Sequence, residues 1–152
     1  MFQRCFLTAA VWVTAVSMLA GCGGKPLPKD MPKLYPCTVK IVDQNDNPVP
    51  QVIVVIVSDD PTFKWGASGG TNESGIAVMQ TLGEYRGVVP GSYKILARLL
   101  EPNPTGQFDE EGIEIVLIDN LLKLEYSDPK KTPLAIEVGT KATNITLQVE
   151  MN

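Results

Sequence analysis

Hydrophobic and polar residues alternate with a period of two from Cys37 onward. In the segment CTVKIVD, the side chains of Cys37, Val39 and Ile41 fall on one face and those of Thr38 and Lys40 on the other. Successive side chains of a β-strand point to opposite sides of a sheet, so this pattern predicts a half-buried strand. Further strands are predicted in the segments QVIVVIVS, IAVMQ, SYKILARL, GIEIVLI, TPLAIEV and TNITLQVE.

The segment QVIVVIVS differs from the others because its apolar residues are continuous instead of alternating. It is too short for a typical helix, and its β-branched residues favour an extended backbone. We therefore predict that it forms a central strand of a sheet.

Residues that favour turns separate the predicted strands. Asn72-Glu73-Ser74-Gly75 is expected to form one turn. Pro90-Gly91 fits the central positions of a type II turn, which would give Gly91 a positive φ. A Gly-Thr-Lys turn is expected to join the last two strands as a closing hairpin. Seven or so short strands between such turns predict an all-β fold, an antiparallel β-sandwich, over residues 37–152.

The amino-terminal residues follow a different pattern. Met1 to Arg4 carries one positive charge, and Cys5 to Leu19 is an apolar run of about 15 residues, shorter than the roughly 20 that a membrane-spanning helix needs. This pattern predicts a secretory signal peptide over residues 1–21. The segment LAGC, which ends at Cys22, resembles the lipobox of bacterial lipoproteins, in which the cysteine thiol carries the lipid.

The resemblance to a lipobox implies that Cys22 is lipidated and anchors the protein in the cell envelope. Gly23 follows it, where an aspartate would resemble an inner-membrane retention signal, so we expect the outer membrane, on its periplasmic or surface face. Residues 22–36 are rich in glycine, proline and lysine and predict a linker between the lipid and the folded domain. An ordinary secretory cleavage near Ala20 is the alternative.

Four segments resemble, in sequence order, the transthyretin-like or carboxypeptidase-regulatory-like β-sandwich of short bacterial lipoproteins. They are VKIVDQNDNPVPQVIVVI, GGTNESGIAVM, GVVPGSYKI and YSDPKKTPLAIEV. The chain differs from the family pattern at Asn47 and Gln51, where glycines are expected, and at Asn72, where aspartate is usual. The resemblance implies a transthyretin-like, or prealbumin-like, sandwich over residues 37–152.

Composition excludes several classes of function. The chain of 152 residues has a net charge of −4 and no cluster of lysine and arginine, so nucleic acid is not an expected partner. The absence of histidine excludes Ser-His and Cys-His catalysis and the usual zinc sites. It also excludes the transthyretin-like enzymes that hydrolyse 5-hydroxyisourate with histidines. We expect no catalytic residue, no metal and no cofactor.

Acidic residues offer the remaining route to catalysis or to metal binding. Asp59 with Glu110 is an example of a carboxylate pair, and hard cations favour clusters such as Asp109 to Glu111 or Asp59 with Asp60. Neither cluster has the spacing of a calcium loop, so both are expected to be solvated loops.

Aromatic residues in loops are the candidate binding residues. Phe63, Trp65 and Phe108 could offer stacking area to a sugar or a peptide, and the alternative is that they cover the end of the core. Cys37, in a predicted strand, is expected to be a small buried hydrophobic residue and not a reactive thiol.

The sequence as a whole favours a non-enzymatic, lipid-anchored module of the cell envelope with a structural or protein-interaction role. Its expected partners are the membrane, through the lipid, and an envelope protein or glycan. A carbohydrate- or peptide-binding module that uses the loop aromatics is the alternative.

Replacing Cys22 with alanine tests the anchor. Without this thiol there is no site for the thioether, so we expect Cys22→Ala to lose the acyl mass and to leave the membrane fraction. Extraction of membranes followed by mass spectrometry measures both. Cys37→Ala is the control and should remain acylated. An unmutated mature protein without acyl mass would contradict the prediction.

Overall fold

The computed structural model of the protein describes residues 26–152, so the predicted signal peptide and Cys22 lie outside the described residues. The described residues form an all-β fold whose one helical element is a short 3-10 turn, Leu124–Ser127. Between residues 26 and 152, no helix has the length and hydrophobicity needed to cross a membrane. The strands are β1 Cys37–Val42, β2 Ile53–Val57, β3 Ala67–Gly70, β4 Ile76–Val78, β5 Gln80–Thr81, β6 Tyr85–Arg86, β7 Gly91–Arg98, β8 Leu100–Phe108, β9 Glu114–Asn120, β10 Ala135–Val138 and β11 Thr143–Gln148.

Nine of these strands form two sheets that enclose one core. The smaller sheet has the strand order β11-β1-β4, and the larger has the order β10-β7-β2-β3-β5-β6. The other two strands, β8 and β9, pair only with each other among the described residues. The β-sandwich predicted from the sequence is confirmed. Its strands outnumber the expected seven or so because several of them have only two to four residues.

The core contains inward-facing side chains from both sheets. Cys37, Val39 and Ile41 of β1 are buried in the smaller sheet, and Val54 and Ile56 of β2 are buried in the larger one. Alternate residues of β7 and β10 face the same core. The period of two in the sequence is therefore the spacing of the inward-facing residues. Because β2 lies between β7 and β3, the prediction of a central strand is confirmed.

Residues 76–81 belong to both sheets, since β4 pairs with β1 and β5 pairs with β3. Met79, between these two strands, is fully buried. Its N–H donates to the carbonyl of Cys37 at 3.0 Å, and its own carbonyl accepts the N–H of Gly87 at 3.0 Å. One residue thus carries the chain across the core with both of its backbone polar groups hydrogen-bonded.

The prediction that the last two strands form a closing hairpin is wrong. β10 pairs with β7 at the edge of the larger sheet, whereas β11 pairs in parallel with β1 in the smaller one, with Cys37 opposite Thr143. The Gly-Thr-Lys segment therefore crosses from one sheet to the other. The physical reason is burial, because Val138 of β10 and Ile145 of β11 contact the same core from opposite layers.

The prediction of a positive φ at Gly91 is also wrong. Gly91 is the first residue of β7 and pairs with Val138. A Cβ at this position would lie 3.0 Å from Oη of Tyr93, so a larger residue would require the tyrosine ring to shift. That hydroxyl donates to the carbonyl of Val89 at 2.7 Å, which holds the aromatic ring against the start of the strand.

Three turns share one construction. Asp43, Asn72 and Asp109 each begin a turn, and one side-chain oxygen of each accepts the N–H groups two and four residues further on, at 2.8–3.0 Å. The fourth residue of each turn has a positive φ, and these residues are Asp46, Gly75 and Gly112. Short polar side chains stabilise turns by accepting backbone hydrogen bonds in this way. The turn predicted over residues 72–75 is confirmed.

Gly75 and Gly112 form a matched pair for a test of this turn. Their φ angles are +71° and +80°, but a Cβ on Gly75 would lie 2.5 Å from the carbonyl oxygen of Ile41, whereas a Cβ on Gly112 would have nothing within 4 Å. We expect Gly112→Ala to lower the free energy of unfolding by about 1–2 kcal/mol through backbone strain. Gly75→Ala should cost about 1–3 kcal/mol more through the steric clash. Denaturant unfolding measures both, and equal losses would contradict the turn geometry.

Candidate interaction site

The β8–β9 hairpin, residues 100–120, projects from the sandwich. Within residues 100–119, Thr105 is half-buried and every other residue is exposed. A single residue, Leu99, separates β8 from the core strand β7. The side chains of the hairpin therefore do not contribute to the core, although the hairpin is attached directly to it.

The cross-strand register gives the hairpin two different faces. Pro102 lies opposite Ile118, and Pro104 lies opposite Val116. We call this side the apolar face, after its apolar residues Leu100, Pro102, Pro104, Phe108, Val116 and Ile118. Two polar residues lie on the same side at its ends, Glu114 opposite Phe108 and Asn120 opposite Leu100. Phe108 is 64% exposed and Ile118 is 60% exposed. The opposite face mixes polar and apolar side chains.

The apolar face has the properties of an interaction site. A two-stranded hairpin has little stability of its own in water unless further strands or another element pack against it. Contiguous exposed apolar side chains on a protein surface mark sites of association. No described element covers this face, and it is the strongest candidate for a functional site within residues 26–152.

Asn120 connects the base of the hairpin to the sandwich. Its Oδ1 accepts the N–H of Leu99 at 3.1 Å and the N–H of Leu122 at 3.3 Å, and its Nδ2 donates to Oγ of Ser127 at 3.0 Å. Nδ2 of Asn152 donates to the carbonyl of Asn120 at 2.9 Å. Leu122 is fully buried, so these hydrogen bonds fix the hairpin base against the core.

The structure does not bring the three candidate aromatic residues together. Phe63 and Trp65 are half-buried and line a surface depression of about 310 Å3. The other lining residues are Asp30, Asp60, Thr62 and Lys64. The ring of Phe63 also packs against that of Tyr93, with centroids 5.5 Å apart, and contacts the core. Phe108 lies on the hairpin and does not line the depression.

Neither of two surface depressions of the described residues is lined by both Asp59 and Glu110, the carboxylate pair named as a remaining route to catalysis. The backbone N–H and the hydroxyl of Thr62 donate to Oδ1 of Asp60 at 2.8 and 2.7 Å, and these hydrogen bonds hold the pKa of Asp60 below its usual value. A general acid requires a raised pKa. Asp59 lines a second depression, of about 330 Å3, whose lining does not include Glu110. Within residues 26–152, no three acidic, histidine or cysteine side chains are grouped so that they could hold a metal.

Cys37 is buried in the core and is 2% exposed. This burial raises the pKa of the thiol to about 11. Because the thiolate is the reactive form of cysteine, the side chain is unreactive at neutral pH. The prediction of a small buried hydrophobic residue is confirmed.

The hairpin was not predicted from the sequence as a separate element. The segment GIEIVLI predicts a strand, and β9 forms there, but no strand is predicted for EPNPTGQF, which forms most of β8. Two features of the sequence indicate the hairpin. DEEGI at residues 109–113 repeats the turn pattern of NESGI at residues 72–76. The alternate prolines, Pro102 and Pro104, are typical of an edge strand.

No protein-family model matches the chain, and no curated protein matches it. Among solved structures, it is similar to BcpA, the major pilin subunit of Bacillus cereus, at 17% identity and a TM-score of 0.41, over 80% of this chain and 30% of that chain. It is also similar to a 9R-lipoxygenase from Cyanothece PCC8801 at 13% identity and a TM-score of 0.35, over 81% of this chain and 18% of that chain. The chain spans less than a third of either structure. Neither likeness carries an argument about function.

The hydrogen bonds of Asn120 predict that this residue stabilises the attachment of the hairpin. Asn120→Ala would leave the N–H groups of Leu99 and Leu122 without this acceptor, and we expect a loss of about 1–3 kcal/mol in the free energy of unfolding. Asn103→Ala is the control, because Asn103 donates to Asp119 on the exposed hairpin at 2.8 Å. The control should change stability by less than about 0.5 kcal/mol. Chemical denaturation of both variants makes the comparison, and similar losses would refute the assignment.

Proposed function

We propose that the protein is a non-enzymatic, lipid-anchored module of the cell envelope that binds another protein through the β8–β9 hairpin. The observation that carries this proposal is the exposed apolar face of the hairpin. The sandwich has a core of its own, so the hairpin is available for association without any opening of the fold.

The exposed apolar side chains of the hairpin provide a source of binding free energy for the proposed association. Full burial of a Val, Leu, Ile or Phe side chain is worth about 1.5–3 kcal/mol. Phe108 and Ile118 keep more than half of their surface exposed, and Leu100 and Val116 keep 43% and 44%. A partner that covers the apolar face removes most of this surface from water, and the association is favourable for that reason.

The proposed anchor rests on the LAGC segment and on the linker that follows it. Two acyl chains hold a protein stably at a membrane, whereas one is marginal. The last part of the linker is attached to the sandwich, since Tyr35 and Val88 exchange two backbone hydrogen bonds of 3.0 and 2.9 Å. Tyr35 is therefore fixed to the sandwich, and the proline and glycine content of the linker before it favours an extended chain.

A binding role is also favoured over a catalytic one by the chemistry of the described side chains. The carboxylate of Asp60, beside the aromatic depression, has a lowered pKa, and the thiol of Cys37 is buried with a raised pKa. Neither group has the ionisation behaviour that a general acid or a nucleophile needs at neutral pH.

We also propose that the sandwich is of the transthyretin-like type. The support is the order of the four sequence segments together with the backbone of Gln51. Gln51 has a φ of +61°, and this is a position at which the family pattern has glycine. Glycine adopts a positive φ at no steric cost, so this backbone conformation supports the proposed resemblance.

The alternative, a carbohydrate- or peptide-binding module that uses the loop aromatics, has weaker support. The depression lined by Phe63 and Trp65 is the observation in its favour. Against it, both side chains are half-buried, and part of Phe63 contacts the core. Phe108, the most exposed of the three, belongs to the hairpin.

Ile118→Glu tests the proposed function because it places a charge at the centre of the apolar face. Chemical cross-linking of native membranes followed by mass spectrometry identifies proteins joined to the hairpin. We expect about a tenfold loss of these cross-links, which corresponds to ~1.4 kcal/mol of binding free energy. Leu124→Glu is the control, because Leu124 is 72% exposed but lies outside the hairpin.

The control should leave the cross-links unchanged. Equal cross-linking in the unmutated protein and the Ile118→Glu variant, or a complete lack of hairpin cross-links in the unmutated protein, would overturn the proposed function.

A further inference from the structure

The hydrogen-bond pattern of the hairpin identifies the backbone groups that point away from it. The N–H of Leu121 donates to the carbonyl of Leu99 at 2.8 Å. In an antiparallel ladder, hydrogen-bonded and non-hydrogen-bonded pairs alternate. Leu99 and Leu121 form a hydrogen-bonded pair, so every second pair after it along β8 is also hydrogen-bonded. The pairs that contain Pro102 and Pro104 fall between these and are non-hydrogen-bonded. The backbone groups of these pairs therefore point to the two outer edges of the hairpin.

The outer edge of β8 is poorly suited to pair with another strand. Proline has no N–H, so Pro102 and Pro104 remove two successive outward donors from this edge. Proline at the edge of a sheet is a common means of preventing strand addition.

The outer edge of β9 is open. Val116 and Ile118 lie opposite the two prolines, so their N–H and carbonyl groups point outward, and neither residue is a proline. In the part of the chain that the structure describes, β9 has β8 as its one neighbouring strand. The open stretch ends at Asn120, whose carbonyl accepts Nδ2 of Asn152. A new strand could therefore pair with residues 114–118.

The charge of the hairpin defines the chemistry of that strand. Residues 100–120 include six acidic side chains and no lysine or arginine. The acidic residues are Glu101, Asp109, Glu110, Glu111, Glu114 and Asp119. Complementary charge across an interface accelerates encounter and disfavours partners of the same charge. A segment that carries lysine or arginine fits this edge, and apolar residues in alternation would extend the apolar face.

A second copy of this chain fits less well for the same reason. Pairing of β9 with itself would bring together two hairpins that each carry these six carboxylates. Like charges that approach each other destabilise an interface. The charge therefore favours a different protein as the occupant of this edge.

We propose that the open edge of β9, at residues 114–118, binds an extended segment of another protein as an added third strand, and that this segment alternates apolar residues with lysine or arginine. The inference rests on the proposed function and specifies its partner. Main-chain hydrogen bonds with Val116 and Ile118 would supply affinity, as they do in other cases of strand addition, and the charges would supply selectivity.

A synthetic peptide that alternates lysine and valine is the probe, and binding of the labelled peptide to the full chain in detergent is measured by fluorescence anisotropy. The test variant is Val116→Pro, which removes one outward N–H at a non-hydrogen-bonded position and leaves the β8–β9 ladder intact. We expect this variant to bind the peptide about tenfold more weakly. Val116→Ala is the control, because it shortens the side chain but keeps the N–H, and it should bind within about threefold of the unmutated chain.

Two further measurements complete the test. A peptide that alternates glutamate and valine should not bind, and added salt should weaken the binding of the lysine peptide. Hydrogen exchange of the Val116 and Ile118 amides in the unmutated chain should slow when the lysine peptide is added, and this readout does not depend on the folding of any variant.

Equal binding of the lysine peptide by Val116→Pro and the unmutated chain, or unchanged amide exchange, would overturn the inference. A concentration-dependent dimer that Val116→Pro abolishes would also overturn it, in favour of a second copy as the occupant. If Ile118→Glu loses its membrane cross-links but Val116→Pro keeps them, the proposed function stands and strand addition fails. If neither variant changes the cross-links, the proposed function fails as well.

Discussion

The sandwich depends on the passage of the chain between its two sheets at Met79. The side chain of Met79 is fully buried, and its backbone is hydrogen-bonded to Cys37 on one side and to Gly87 on the other. A buried backbone group without a partner is costly, so this arrangement permits a crossing inside the core. It also connects the two sheets within one short segment, residues 76–81, whose strands pair with β1 and with β3.

Local chemistry determines how much of this fold could be predicted from the sequence. The alternation in β1, the continuous apolar run of β2 and the turn at Asn72 depend on neighbouring residues, and these predictions are confirmed. The sheet to which a strand belongs depends on distant residues. The parallel pairing of β11 with β1 is an example. The burial of Thr132 also depends on a distant residue, because its hydroxyl donates to the carbonyl of Ile95 in β7 at 2.8 Å.

The candidate site could be predicted only in part for a related reason. The apolar residues of β9 have the same pattern as a core strand, and a pattern does not reveal whether a sheet exists to cover them. The prolines of β8 indicate that this strand lies at the edge of a sheet, since proline is excluded from interior strand positions. The acidic side chains around the apolar face give a further indication, because charge surrounding exposed apolar residues keeps such a hairpin soluble until a partner covers it.

The parallel pairing of β1 with β11 has a mechanical consequence. The start of β1 and the end of β11 lie at opposite ends of the paired strands, because both strands run in the same direction. Tension applied between the segment before Cys37 and the segment after Gln148 would load all the hydrogen bonds of this pair together instead of opening them one at a time. A domain held at a membrane through its amino-terminal side, with a load applied beyond β11, would therefore resist extension by shear.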